Sequence, residues 1–357
     1  MIHGKFSLED YKKIYKSKNY CIIDSNLYLK KDNCIVHGIR DKNQVDSYFD
    51  KMPNCKKQNF NKFYIYYDSN KYKVNVIEKV SEFVDKIVQN NKIDSNISGY
   101  YRGHSNYEYT LIPSIYREDY LINNEYNIYR DIISQKPHLF EDCNTTLEKL
   151  VKMQHFGIPT RLLDLTENPL IALFFACISN NSYYGEVITF NVNKKRFVKY
   201  YDSDTVDVLS NIAKLDEKFN IPDSEFDCCQ SESFPSFNAL TEIKKLCHFI
   251  CEDKPYFENR INPSHLDNYA LIVKPKLANE RIVNQSGAFI LFGINREKSC
   301  CANTDSIIEK FTQQIYIIAP DRKKEILQQL ELFNINYSTV YCDLENTAKY
   351  FKSKYKK

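Results

Sequence analysis

The sequence predicts an α+β protein: a mixed or antiparallel sheet as the core, helices on its flanks, and a small β-rich segment at the N-terminus. Three observations carry that prediction. Short β-like runs outnumber those one alternating α/β unit requires, and they alternate irregularly with helical periodicities. The third is a nine-residue run, Leu170 to Ile178, that is apolar on every side. A helix apolar all round is a buried helix, so this run marks the centre of the main domain. With 43% apolar and 27% charged residues, and only Gly 8 and Pro 11 among 357, the composition excludes a disordered chain, a coiled coil and a collagen-like chain.

Residues 1–75 alternate β-like stretches, Tyr20 to Ile23, Cys34 to Gly38 and Phe63 to Tyr67, with lysine- and asparagine-rich turns. This accessory segment carries no motif. Val76, Ile77, Val80, Phe83, Val84, Ile87 and Val88 then recur at helical spacing and open the main domain, residues 76–357. Ser98 to Gly103 reads as a strand ending in a tight turn, and Asn123 to Ser134 as a helix. Thr145 and Glu148 have capping-box spacing at the start of a helix through Gln154, which Gly157 is placed to end. Thr160 to Leu165 reads as a strand, and Thr166 as the cap of the apolar helix, with Pro169 in its first turn. Later strands are expected at Gly185 to Val192, Tyr269 to Val273, Gln285 to Gly293, Gln314 to Ile318 and Thr339 to Cys342. Helices are expected at Asn238 to Cys251, Asp321 to Leu332 and Leu344 to Tyr355. Between them, residues 202–233 hold nine acidic residues against two lysines and read as a solvated insertion.

A net charge of +3 commits to no partner. The longest apolar run falls far short of the roughly 20 residues of a membrane-spanning helix. The N-terminus lacks the apolar stretch of a secretion signal, so a cytoplasmic location without membrane contact is expected. The twelve cysteines are scattered. Cys247, His248 and Cys251, with Cys228 and Cys229 upstream, have the one ligand-like spacing, but without a CxxC knuckle they are read as helix interior and no metal is expected.

Three stretches combine functional residue types with sharp backbone punctuation. In Tyr100-Tyr101-Arg102-Gly103-His104-Ser105, an arginine stands at a strand end beside a glycine that lets a ligand approach, a placement suited to phosphate or carboxylate. The second runs from Gln154 to Thr166 and contains His155, Thr160, Arg161 and Asp164. The third runs from Arg281 to Phe289 and contains Gln285. Each has a structural alternative: Arg102 and Asp164 as a buried ion pair, and Gln154 and His155 as partners of loop backbone.

These motifs, Tyr101-Arg102-Gly103, QHFGIPTRLLDLT, the NPLIALFFA helix and the late QSGAF strand, resemble in order the FRG domain of bacterial and phage proteins. The sequence departs from that pattern at Leu165, where the family commonly has tryptophan. A more distant resemblance is to mono-ADP-ribosyltransferases of the arginine-serine-glutamate type. It implies an ADP-ribosyltransferase-like fold with NAD as substrate. Arg102 would clamp the pyrophosphate, Thr166 would hold the ribose end, Gln285 would stand at the late catalytic position, and either Asp164 or Glu280 would supply negative charge. Tyr101, Gly103, His104, His155 and Arg161 would complete the pocket. The function so implied is an NAD-consuming toxin or antiphage effector that modifies nucleic acid or protein, with an antitoxin or regulatory partner possible. A nucleotide- or phage-component sensor without catalysis, and a nucleic-acid-processing toxin that does not use NAD, are the alternatives. Oligomeric state is left open.

Overall fold

The computed structural model describes residues 20–23, 26–29, 34–36, 63–67, 70–90, 94–107, 109–221, 235–302 and 312–356. Its principal elements run in chain order. Strands β1 (Tyr20–Ile23), β2 (Asn26–Leu29), β3 (Cys34–Val36), β4 (Phe63–Tyr67) and β5 (Asn70–Ile77) precede helix α1 (Val80–Asn90) and strand β6 (Ile97–His104). Helices α2 (Glu125–Gln135) and α3 (Thr146–His155), strand β7 (Leu162–Thr166), helix α4 (Pro169–Cys177) and strands β8 (Gly185–Asn193) and β9 (Val198–Tyr200) follow. Next come α5 (Asp204–Asn211), α6 (Thr241–Asp253), β10 (Ala270–Lys274), α7 (Glu280–Asn284), β11 (Gly287–Phe292), β12 (Ile294–Asn295) and β13 (Glu297–Cys301). The last are β14 (Thr312–Ile318), α8 (Lys323–Glu331), α9 (Tyr337–Tyr341) and α10 (Leu344–Lys354). The protein is thus mixed α and β. Among the described residues no helix is long and apolar enough to cross a membrane.

The chain divides into two compact units. One comprises residues 1–110, 166–191 and 308–357, the other residues 111–165 and 192–307. In the first, the strand order is β1-β2-β3-β4-β5-β14-β8-β6. The sheet is mixed, because β5 and β14 run parallel while β14 and β8 run antiparallel. Its centre is α4. Ala172, Leu173, Ala176 and Cys177 on α4 are fully buried, as the all-round apolar pattern requires. Two glycines bring the sheet directly against this helix. A Cβ on Gly103 would lie 1.9 Å from the carbonyl oxygen of Ala172 and 2.8 Å from the amide nitrogen of Ala176, and a Cβ on Gly185 would lie 2.2 Å from the carbonyl oxygen of Ala176. Neither position tolerates any side chain at this separation. Lys323 closes the same region, its buried ammonium donating to the carbonyl oxygens of Ser105 (2.6 Å), Ser179 (3.1 Å) and Asn180 (3.0 Å).

In the second unit β9, β10, β11 and β7 are neighbours, β9 parallel and β11 antiparallel to β10. Its helices are tied by a polar knot. Asn211 at the end of α5 accepts from the Thr146 hydroxyl (3.0 Å) and donates to Asp253 (3.0 Å), while the Thr146 amide also donates to Asp253 (2.9 Å). Lys214 binds Asp253 at 3.3 Å and Glu252 at 3.1 Å. Buried groups so connected fix the relative placement of α3, α5 and α6.

Three sequence expectations change, and the helical reading of Cys247 and Cys251 holds. The stretch from Asp204 to Leu215 is not a solvated loop: Val206, Leu209, Ile212, Ala213 and Leu215 are fully buried in the unit core, and Asp207 is buried with them, 3.5 Å from the Lys254 ammonium, while Asp204 stays exposed. The rest of the acidic segment, from residue 222, lies outside the described residues. Val76 and Ile77 belong to β5, and the helix starts at Val80. Residues 337–341 are helix where a strand was expected, because the Asn336 side chain accepts from the Ser338 and Thr339 amides while Thr339 returns a bond to the Asn336 amide. That capping box overrides the β propensity of Thr339, Val340 and Tyr341. Cys247 and Cys251 lie on α6, and Cys247 donates to Asn259 at 2.8 Å. Cys228 and Cys229 lie outside the described residues.

Burial pushes the Asp207 carboxyl up to about 6, and Lys254 only partly opposes it. A folded-state pKa above the unfolded one means that the folded state binds the extra proton between pH 4 and 6, so this group makes stability fall as pH rises through that window. Asp207→Asn is therefore expected to make Tm rise more, or fall less, from pH 4 to pH 6 than it does in wild type. An unchanged slope in calorimetric melts at several pH values would remove Asp207 as its source.

Candidate functional site

Side chains alternate across a strand, so the glycine contacts dictate what faces the other way. Gly103 is turned toward α4, and its neighbours Arg102 and His104 therefore project from the opposite face of β6. Gly185 is likewise turned toward α4, which sends Glu186 to that same opposite face on the neighbouring strand β8. The three side chains meet there. Arg102 Nε donates to His104 Nε2 at 2.8 Å, and His104 Nδ1 lies 2.9 Å from Glu186 Oε1. His104 and Glu186 are each 2% exposed, whereas Arg102 is half-buried.

An arginine Nε can only donate, so His104 Nε2 must accept. The ring proton then sits on Nδ1 and is given to Glu186. These three side chains are one guanidinium, one neutral imidazole and one carboxylate. The bond to Nε fixes the guanidinium plane.

Tyr101 pairs in register with Thr166 on β7. The Thr166 hydroxyl accepts from the Asn168 amide at 3.0 Å, and it is the Asn168 side chain that caps α4, accepting from the Leu170 amide at 2.9 Å. The cap thus lies two residues beyond the one expected. Thr166 shapes the turn into the helix. Gly103 also differs from expectation, since the backbone that approaches it is that of α4.

In the second unit the Gln154 to Asp164 motif largely folds itself. Helix α3 carries the expected capping box of Thr145 and Glu148, and Gly157, at φ +77°, ends it with the Ile158 amide bonded to Met153 O and its own amide to Gln154 O. Gln154 accepts from the Thr160 hydroxyl (2.7 Å) and donates to Asp164 (2.8 Å), and Thr160 Oγ1 accepts from the Leu162 amide (3.1 Å). Asp164 is exposed, so it is no member of a buried ion pair. The His155 carbonyl accepts from Arg281 at 3.2 Å.

Arg161 does not line a pocket. It is fully buried, donates through Nε to Glu125 (2.9 Å) and through Nη2 to the same carboxylate, and reaches the Phe292 carbonyl at 3.2 Å. Lys298 binds Glu125 from another side at 3.2 Å and also donates to the Leu215 carbonyl. Burial pushes the Glu125 carboxyl up, but Arg161 and Lys298 outweigh it and hold the group below the usual carboxylate range. Gln285 is not on a strand either: it follows α7 as its C-terminal cap, and β11 begins at Gly287. The Asn279 side chain, accepting from the Ile282 amide at 2.8 Å, starts the short helix that takes this stretch out of the strand.

Glu125 and Glu186 are the two acidic residues that the sequence reading missed. For Glu186 a local signal exists, a lone carboxylate opening the otherwise apolar strand that continues Val187, Ile188 and Phe190. A charge in such a strand needs a partner. Among the described residues no group of three or more histidine, cysteine, aspartate or glutamate side chains could hold a metal ion.

Glu125→Gln would leave Arg161 and Lys298 buried without their shared anion. The expected loss is about 3–5 kcal/mol of stability in a denaturant titration. A loss below about 1 kcal/mol would show that the cluster is solvated.

No curated protein and no solved structure gives a match to the chain. Residues 98–184, which begin just inside β6 and run through α4 to the approach of β8, match the family model of the FRG domain. The Arg102 strand and the helix that seats it thus lie within the stretch that is similar to the FRG domain.

Proposed function

We propose that the FRG domain binds the pyrophosphate of a dinucleotide at Arg102, and that the chain is an ADP-ribosyltransferase-like effector in toxin or antiphage activity with NAD as its substrate. The observation that carries this reading is the Arg102–His104–Glu186 network. Two buried residues hold the plane of one half-buried guanidinium, and a guanidinium is the side chain whose geometry suits paired phosphate oxygens. In the reaction the bond between nicotinamide and the ribose C1′ breaks and nicotinamide leaves neutral. An acceptor nucleophile on nucleic acid or protein then bonds to C1′ and loses its proton. The developing ribosyl cation needs nearby negative charge. The resemblance alone, and no shared geometry with Arg102, puts forward Asp164 for that task, an exposed carboxylate bonded to Gln154, with Gln285 for a ribose hydroxyl.

The placement of Gln285 favours a second reading. At a helix end, it lacks the strand position from which a catalytic side chain of this type would act. A nucleotide-sensing module would keep Arg102 and need neither Gln285 nor Asp164.

Nicotinamide release and NAD binding, measured on the same protein with cellular RNA, DNA and protein as acceptors, separate these readings. Wild type is expected to release nicotinamide. Arg102→Ala should weaken NAD binding by about 10- to 100-fold, the loss of a charged hydrogen bond of about 1.5–3 kcal/mol. Glu186→Gln should weaken it less and leave the fold intact. Binding without release supports the sensor. Neither binding nor release, with every acceptor supplied, contradicts both.

A further inference from the structure

Helix α10 turns its apolar side outward. Leu344, Ala348, Phe351 and Tyr355 recur at i, i+4, i+7 and i+11, the spacing of a helix face that normally packs inward, yet all four are exposed, Leu344 by 84% and Tyr355 by 74%. The rings of Phe351 and Tyr355 lie parallel within 9°, their centroids 6.2 Å apart. Lys349, Lys352, Lys354 and Lys356, all exposed, flank them, whereas Glu345 is the one acidic residue of the helix. A neighbouring patch extends the apolar surface: Tyr350 donates to Glu331 at the end of α8, and the next two residues, Leu332 and Phe333, are exposed as well.

The geometry points to this face as a binding surface for single-stranded nucleic acid, with bases stacked on Phe351 and Tyr355 and phosphates on the lysines. Parallel exposed rings beside a row of cations are what an unpaired polynucleotide requires, since every base offers a π face and every linkage a negative charge. Two other occupants fit less well. A second copy of the chain would set the lysines of both helices against each other. A bilayer would need an unbroken apolar face, and here the Tyr350–Glu331 contact sets polar groups between α10 and the Leu332–Phe333 patch. The face shares no residue with the Arg102 network, so loss of nucleic-acid binding and loss of NAD turnover are separable.

The test is fluorescence anisotropy of a labelled oligouridylate, about 15 nucleotides long, titrated with the full chain. Binding is expected, falling about 20-fold between 50 and 200 mM salt if three lysines contact phosphate. Phe351→Ala and Tyr355→Ala should each weaken it about tenfold without changing Tm, because both side chains are exposed. Replacing Lys349, Lys352 and Lys356 together by Gln should flatten the salt dependence. The inference is overturned if wild type does not bind at low salt, or if all variants bind equally. It is also overturned if phosphatidylserine vesicles bind the chain and the oligonucleotide does not, or if sedimentation shows a dimer that Phe351→Ala abolishes.

Discussion

The contact on which the first unit depends is made between backbones. Helix α4 lies so close to β6 and β8 that the carbonyl oxygens of Ala172 and Ala176 occupy the space where side chains at 103 and 185 would begin. Apolar burial of Leu173, Phe174 and Cys177 drives the helix into the core. The two glycines decide how deep it goes. Because strand side chains alternate, seating the helix on Gly103 and Gly185 also settles that Arg102, His104 and Glu186 share the other face. The functional candidate is therefore a consequence of the packing, and the arginine and glycine of the motif do different work. One is presented and the other is covered.

The second unit depends on a different device. Its core encloses Arg161, Lys298 and Glu125, two cations around one carboxylate, and joins α2, the approach to β7 and β13 through them. Burying these charges is unfavourable unless the geometry is complete, and here backbone carbonyls of Phe292 and Leu215 supply further acceptors. The most conspicuous polar motif of the sequence thus divides by depth. Arg161 belongs to the interior, while Gln154 and Asp164 stay at the surface and hold each other.

Local signals were legible in the sequence and distant ones were not. The capping box of Thr145 and Glu148, the helix end at Gly157 and the all-round apolarity of α4 are each encoded within a few residues, and each stands in the structure as read. The half-buried arginine near a strand end was readable for the same reason. Its partner Glu186 lies 82 residues from His104, and Glu125 lies 36 from Arg161, separations at which spacing carries no information. Charge counting failed for Asp204 to Leu215 because a sum over a window does not see depth: Asp204 is exposed, whereas Asp207 is buried beside Lys254 with Val206 and Leu209. At Gln285 a strand was expected because apolar residues follow it, but Asn279 had already committed the chain to a turn of helix.

Equilibrium unfolding of Gly103→Ala and Gly185→Ala tests most directly whether the glycine contacts govern this arrangement. One methyl group at either position must displace helix backbone, which has no rotamer to yield, so each variant should lose about 1–3 kcal/mol, with the larger loss at Gly103, where the approach is closer. Unfolding midpoints equal to that of wild type for both variants would mean that α4 is not seated on the glycines, and the common facing of Arg102, His104 and Glu186 would then need another cause.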